Sequence, residues 1–252
     1  MSSTLKKSLK IIEAVAMSES PRGISELARD IKLDKSLVQR ILQTLAEENY
    51  VEKTADTSRY RPTLRLWELG SRVIEQNDTR RLIHPILRYA AKASNLTAYF
   101  AAADHPDVIY LDKIEGEKGR ANSSDPGRRI PMYAAASGRA ILAFSPANQL
   151  KPIIQALEKK GGSKAELESD LANIRARFFA TTERGTAVRI SSVAAPVWGL
   201  NTSPIGSIVL TSDSVTFPPS EFDRIGSIAL GAAEQATKVL GGIFPIGIDH
   251  AP

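Results

Sequence analysis

From residue 37 onward the apolar positions fall at Leu37, Val38, Ile41, Leu42 and Leu45. That is one stripe of a 3.6-residue period, so residues 35–45 are expected to form a helix with a single buried face. The opposite face carries Lys35, Ser36, Gln39, Arg40 and Gln43, all hydrogen-bond formers with no carboxylate among them. Asp34 stands where an N-cap belongs. Residues 24–31 form a second short amphipathic pattern, separated from Asp34 by Lys32 and Leu33 alone. Upstream, Leu5, Leu9, Ile12 and Val15 mark the inner face of a first helix, and Pro21 and Gly23 form the turn that follows it. Residues 50–53 and 59–61 read as two strands around a polar turn, with Arg59 and Arg61 at alternate positions on one side. Helix, helix, helix and basic hairpin in this order predict a winged helix-turn-helix over residues 1–62. The polar face over 35–43 suits base edges and phosphates in a major groove.

Residues 63–76 return to a helical pattern, with Leu66, Leu69, Val73 and Ile74 on one side. That is too much apolar surface for a free linker. A connector is expected, packed on the first domain, on a second copy of the chain, or on both. After Asp78-Thr79 another helix runs to residue 93. The pattern then changes to strands over 96–103 and 108–116, around the turn Asp104-His105-Pro106-Asp107. A polar loop follows over 119–129, then small residues that lead into a helix over 131–144. Helices are expected over 146–159 and 164–181, the second with Leu167, Leu171 and Ile174 inward. Strands over 187–197 and 203–212, a long helix over 219–240 and a loosely held tail complete the chain. Strands grouped in hairpins with helices in separate runs make the class α+β. Three segments result: 1–62, a linker helix 63–76, and 77–252.

Charge sharpens this division. Residues 1–92 hold 17 Lys or Arg against 12 Asp or Glu, which accounts for the whole net charge of +5. The remainder holds 16 of each and is neutral. A basic excess confined to the N-terminal third suits a nucleic-acid-binding module joined to a neutral partner. The excess is modest, so specific contacts must carry affinity. Zero cysteines exclude disulfides and thiolate metal sites and point to the cytoplasm. No apolar run is long enough for a membrane span.

An enzyme is the rival class, and its usual signs are missing. His84, His105 and His250 are scattered, so neither a metal cage nor a triad is suggested. No G-x-S-x-G elbow, phosphate loop or dinucleotide fingerprint occurs. No catalytic residue, metal or cofactor is expected. A module that uses its N-terminal helices for protein interaction is the other alternative, and the wing arginines weigh against it.

Two further stretches carry a resemblance. Gly127-Arg128-Arg129-Ile130-Pro131-Met132 followed by Ala136-Ser137-Gly138-Arg139-Ala140-Ile141-Leu142-Ala143, and the strand Ser192-Val193-Ala194-Ala195-Pro196-Val197, are similar to signatures of the IclR family of bacterial transcriptional regulators. Residues 36–45 and Leu66-Trp67-Glu68-Leu69-Gly70 resemble the family's recognition helix and linker. Arg139 stands where the family usually has lysine, which keeps the charge. The resemblance implies a winged helix-turn-helix with a GAF-like effector domain, a double-stranded DNA operator, a small-molecule effector and a homodimer or tetramer. Carried over by position, the effector pocket includes Ala136, Ser137 and Gly138 at a helix start, Glu183 ahead of the next strand, Ile190 and Ser192 on that strand, and Val209 and Thr211 on the one after it. Backbone N–H groups at that helix start favour an anion. The apolar Val209 directs the expectation from a compact acid towards an aromatic one.

Overall fold

A computed structural model describes residues 3–118, 125–184, 190–200 and 203–245. The chain divides into two compact units, Met1–Asn77 and Asp78–Pro252. In the first, α1 (Ser3–Ala16), α2 (Ile24–Asp30) and α3 (Lys35–Glu47) precede a hairpin of β1 (Val51–Lys53) and β2 (Tyr60–Pro62), followed by α4 (Leu64–Glu75). Val38, Ile41, Leu42 and Leu45 of α3 are buried with Ile11, Val15, Leu27, Val51 and Tyr60. Each such side chain contributes about 1.5–3 kcal/mol through burial. The apolar stripe of α3 is therefore core, as its spacing predicts.

Two faces differ from expectation. On α1 the buried residues are Ile11 and Val15, whereas Leu5 and Leu9 are 59% and 50% exposed. Three helices and a hairpin build a core that reaches only the last turns of α1, and its first turns overhang. On α4 the expected inner residues Leu69 and Val73 are exposed, together with Leu64 and Trp67, the latter at 72%. Among the described residues of the first unit this apolar stripe stands exposed. The helix start is set by Thr63, whose Oγ1 accepts from Arg65 N at 3.2 Å.

The second unit is built on one six-stranded antiparallel sheet in the order β5-β4-β3-β8-β7-β6. Its strands are β3 (Thr97–Asp104), β4 (Asp107–Ile114), β5 (Arg129–Pro131), β6 (Ala180–Arg184), β7 (Ile190–Trp198) and β8 (Pro204–Asp213). One face buries Ala98, Phe100, Val193, Ala195, Ile208 and Leu210 beneath α5 (Asp78–Ser94) and α9 (Phe222–Val239). The other face carries Tyr99, Ala101, Ala194 and Val209, which cluster with residues of α6 (Ala136–Leu142), α7 (Ala147–Glu158) and α8 (Lys164–Arg177). Covering both faces is what makes these strands nearly continuous apolar runs.

The helix expected to reach residue 181 stops at Arg177. Phe178 adopts a left-handed φ of +62°, and residues 180–184 pair with β7 as an edge strand. The polar loop ends in the short strand β5, which the sequence pattern does not reveal. The long C-terminal helix opens as a 3-10 turn, Pro219–Glu221. The start of the tail is pinned: Phe244 meets the Trp198 ring edge-on at 4.9 Å. Residues 187–189 of the expected strand and 246–252 of the tail lie outside the described residues. Among the described residues no helix is long and apolar enough to cross a membrane.

Candidate nucleic-acid interface and ligand cavity

The turn between α2 and α3 is tight because Lys32 takes a left-handed φ of +52°, and Leu33 N donates to Ala28 O at 2.9 Å. Asp34 caps α3, accepting from both Ser36 N (3.2 Å) and Ser36 Oγ (3.0 Å). Asn49 closes the helix at φ +62°, with Tyr50 N donating to Leu45 O at 2.8 Å. Between these caps Lys35, Ser36, Gln39, Arg40 and Gln43 all face solvent. Among the described residues no hydrogen bond or ion pair engages the side chains of Lys35, Gln39, Arg40 or Gln43. Their donors and acceptors are available to a partner, whereas the Ser36 hydroxyl serves the cap.

The two wing arginines have different surroundings. Arg61 lies beside Glu52 across the hairpin, its Nε 2.6 Å from Glu52 Oε1, and both are exposed. Arg59 instead folds back onto α2, pairing with Glu26 and donating to Pro21 O at 3.2 Å. Arg22 adds a backbone bridge to Tyr60, two bonds of 2.8 Å each, and pairs with Asp30. The wing is thereby tied to the helices, and Arg59 belongs to that tie. The backbone N–H of Gly23, with smaller contributions from Arg59 and Arg22, holds the Glu26 carboxyl below its usual range. A group depressed on folding contributes stability above its unfolded pKa and loses it as pH falls through the folded one. Protection of α2 amides from hydrogen exchange in the full chain is therefore expected to fall below the usual glutamate range. Glu26→Gln should weaken that protection at neutral pH and flatten its acid-side dependence.

In the second unit a cavity of about 270 Å³ opens on the α6 face of the sheet. Its walls are Tyr99, Tyr110, Ile130, Ile190 and Val209, with Ala134, Ala135 and Ala136 from the chain leading into α6. The register shows how it is built. Opposed residues share a face, so Tyr99, Val209, Ala194 and Ala180 form one row across four strands. Two residues further along, Thr97, Thr211, Ser192 and Thr182 form a parallel row of hydroxyls. Thr211, Ser192 and Thr182 reach the cavity. The rings of Tyr99 and Tyr110 meet edge to face at 5.2 Å. Burial pushes the Tyr110 phenol above its ordinary pKa, against the smaller opposing pull of Ser137 and Arg128. It is a neutral phenol at physiological pH.

Arg128 is the charged lining residue, and it stands exposed on the solvent side. Its backbone is held by Tyr110 N, which donates to Arg128 O at 3.0 Å, while Gly127 N donates to Tyr110 O at 2.7 Å. Gly127 takes φ +91°, a conformation that favours glycine. Of the expected pocket residues, Ala136, Ile190, Ser192, Val209 and Thr211 line the cavity. Ser137 and Gly138 sit one layer behind it: the Ser137 hydroxyl lies 3.2 Å from Tyr110 Oη, and Gly138 is pressed against Met132. Glu183 is an exposed edge-strand residue outside the lining. Tyr99, Tyr110, Arg128, Ile130 and Thr182 are additions, because strand register and loop return are invisible in the linear pattern. Among the described residues no cluster of three His, Asp or Glu is placed to hold a metal ion.

A capped helix with a free polar face, a tied-down wing and a separate unit enclosing a small-molecule cavity define a ligand-responsive DNA-binding protein. Residues 4–55 match the IclR helix-turn-helix domain, and residues 71–238 match the family described as bacterial transcriptional regulator IclR C-terminal. The chain belongs to the IclR family: it is a DNA-binding transcriptional regulator with an effector-binding domain, not an enzyme. It is 26% identical over 228 residues to the HTH-type transcriptional regulator KdgR of Escherichia coli, covering 88% of this chain and 84% of that one. The crystal structure of the Thermotoga maritima IclR aligns with a TM-score of 0.70 at 26% identity, over 94% and 98% of the two chains. An IclR homolog from Microbacterium hydrocarbonoxydans complexed with 4-hydroxybenzoate aligns with a TM-score of 0.76 at 18% identity, over 95% and 99%.

Proposed function

We propose that this regulator reads its operator through Lys35, Gln39, Arg40 and Gln43 of α3 and is controlled by a small aromatic acid held in the sheet cavity. In this reading residues 1–62 bind DNA, residues 63–76 couple, and residues 77–252 sense the effector in the cytoplasm. The observation that carries the DNA side is the free polar face of α3 between two formed caps. Ser36 acts as part of the N-cap, Arg61 gives the wing's backbone contact, and Arg59 holds the wing in place. Replacing Arg61 by Ala should weaken all DNA sequences alike and lower the salt slope by about one. Arg59→Ala should instead loosen α2 and the hairpin. Fluorescence anisotropy over a salt series, beside hydrogen exchange, distinguishes the two.

Two heads on one operator require a second copy of the chain. The exposed stripe Leu64, Trp67 and Val73 on α4, with Leu5 and Leu9 on α1, supplies an apolar face for it within the first unit. For the effector, the cavity offers aromatic and aliphatic walls, three Ser or Thr hydroxyls beside the two phenols, and one cation. Its volume lies just below the roughly 300–1,000 Å³ of typical ligand pockets, which suits a compact ring. The relative solved with 4-hydroxybenzoate supports the same chemical class. A thermal-shift screen of benzoates against the full chain tests this directly. An acid at a hundred times its Kd should stabilise the protein by about 2.7 kcal/mol. Stabilisation confined to sugars or bases would contradict the reading.

A further inference from the structure

Strand β4 changes face part-way along. Ala101 of β3 pairs with Tyr110, whereas its neighbour Phe100 pairs with Asp112, so Leu111 is an extra residue in β4. Residues two apart on a strand ordinarily point the same way. The extra residue reverses this. Tyr110 stands with Ala101 on the cavity face, and Asp112 stands with Phe100 on the face that α5 covers. Such a bulge breaks the ladder locally and bends the strand that carries it.

The Asp112 side chain is 3% exposed and fastens the start of α5. Arg80 Nη2 donates to its Oδ1 at 3.2 Å, and His84 Nδ1 lies 2.7 Å from its Oδ2. Arg80 and His84 are four positions apart on one helix face, so a single carboxylate ties down the first two turns. Those turns have less else to hold them. Pro85 lies inside α5 and has no N–H, so the helix bond to Arg81 O is missing where the fastened segment ends. Of residues 78–84 Ile83 alone joins the apolar core, against Ile86, Leu87, Ala90 and Ala91 beyond the proline.

We infer that Asp112 is the positioning residue through which the cavity acts on the first turns of α5. A ligand that displaces the Tyr110 ring moves the strand at the Leu111 bulge, and Asp112 on the far face carries the movement to Arg80 and His84. Gln76 and Asn77 are all that separate α4 from α5 in the chain, so these turns are where the second unit takes up the connector. The inference rests on the proposed reading of the cavity as the effector site. Its test uses no ligand, so a negative result leaves that reading intact, and a failed ligand screen leaves the test intact.

Hydrogen exchange of the ligand-free full chain compares the amides of Leu82, Ile83 and His84 with those of residues 87–94. Tyr110→Leu, which removes part of the cavity wall, should speed exchange at 82–84 about tenfold and leave 87–94 within about twofold. Tyr99→Leu shortens a ring of the same wall on β3, which carries no extra residue, and should leave 82–84 within about twofold. Asp112→Asn should speed 82–84 about tenfold as well, and adding Tyr110→Leu to it should change little, because the route is already cut. A plain structural anchor would show the Asp112 effect without the Tyr110 one. Tyr110→Phe keeps the ring and loses the Ser137 contact. It should raise exchange at 82–84 about threefold, and it serves if the leucine variant loses protection throughout the unit. Unchanged exchange at 82–84 in the Tyr110 variants, or rises that multiply in the double variant, would overturn the inference.

Discussion

Gly138→Ala is expected to destabilise the effector-binding unit by about 3 kcal/mol, near the upper end for overpacking. A Cβ at this position would lie 2.3 Å from both Cα and O of Met132. Both are backbone atoms of the 3-10 turn Met132–Ala134, so no side-chain rotation relieves the overlap. Alanine brings about 1 kcal/mol of helix propensity over glycine, which the overlap outweighs. For a unit of this size the loss corresponds to a fall of roughly 6–12 °C in Tm. The transition of residues 78–252 should drop while protection in α2 and α3 is retained. Because α6 and the chain before it form one wall of the cavity, stabilisation by a bound acid should also weaken. An unchanged melting profile would place α6 elsewhere.

Arg40→Ala is expected to cost about 1–3 kcal/mol of operator binding and to relax specificity at one base position. The side chain is exposed on α3 and makes no ion pair or hydrogen bond among the described residues, so its removal leaves the fold of the first unit intact. That separates it from Arg59, whose partners are Glu26 and Pro21. An arginine that reads a base alters the preferred sequence, whereas one that neutralises a phosphate weakens all sequences together. Competition anisotropy with single-base operator variants distinguishes these outcomes.

The recognition helix was legible because everything that defines it is local. Its stripe, its Asp34 cap and its polar face lie within a dozen residues. The wing was legible as a hairpin, but not the fate of Arg59, since its partner Glu26 is 33 positions away. The apolar excess of α1 and α4 was visible as excess. Which residues stay exposed depends on how far a small core extends. Strand β6 was hidden because Leu167, Leu171 and Ile174 prolong a helical rhythm into Phe178, and only pairing with β7 makes residues 180–184 a strand. The cavity was half legible. Ser192, Val209 and Thr211 entered through a resemblance, whereas Tyr99, Tyr110 and Thr182 join them by register across the sheet. Arg128 stood in a stretch that reads as polar loop, and its place is fixed by backbone bonds to Tyr110.

Control by an effector requires that the ligand bind one arrangement of the paired heads better than another, since equal affinity for both shifts nothing. The covalent route from cavity to heads runs through α5 and α4. If two copies pair as proposed, the exposed face of α4 makes that helix the element whose pairing an effector would bias.

In the proposed function the face through Lys35, Gln39, Arg40 and Gln43 reads DNA sequence. Selection of random duplexes by the full chain, run beside a Gln39→Ala, Arg40→Ala, Gln43→Ala triple variant, tests it most directly. The wild type is expected to enrich a pseudo-palindrome with half-sites about 34–36 Å apart, or a multiple of that. The triple variant should lose that enrichment while keeping its fold. Enrichment of the same sequence by both proteins would contradict it.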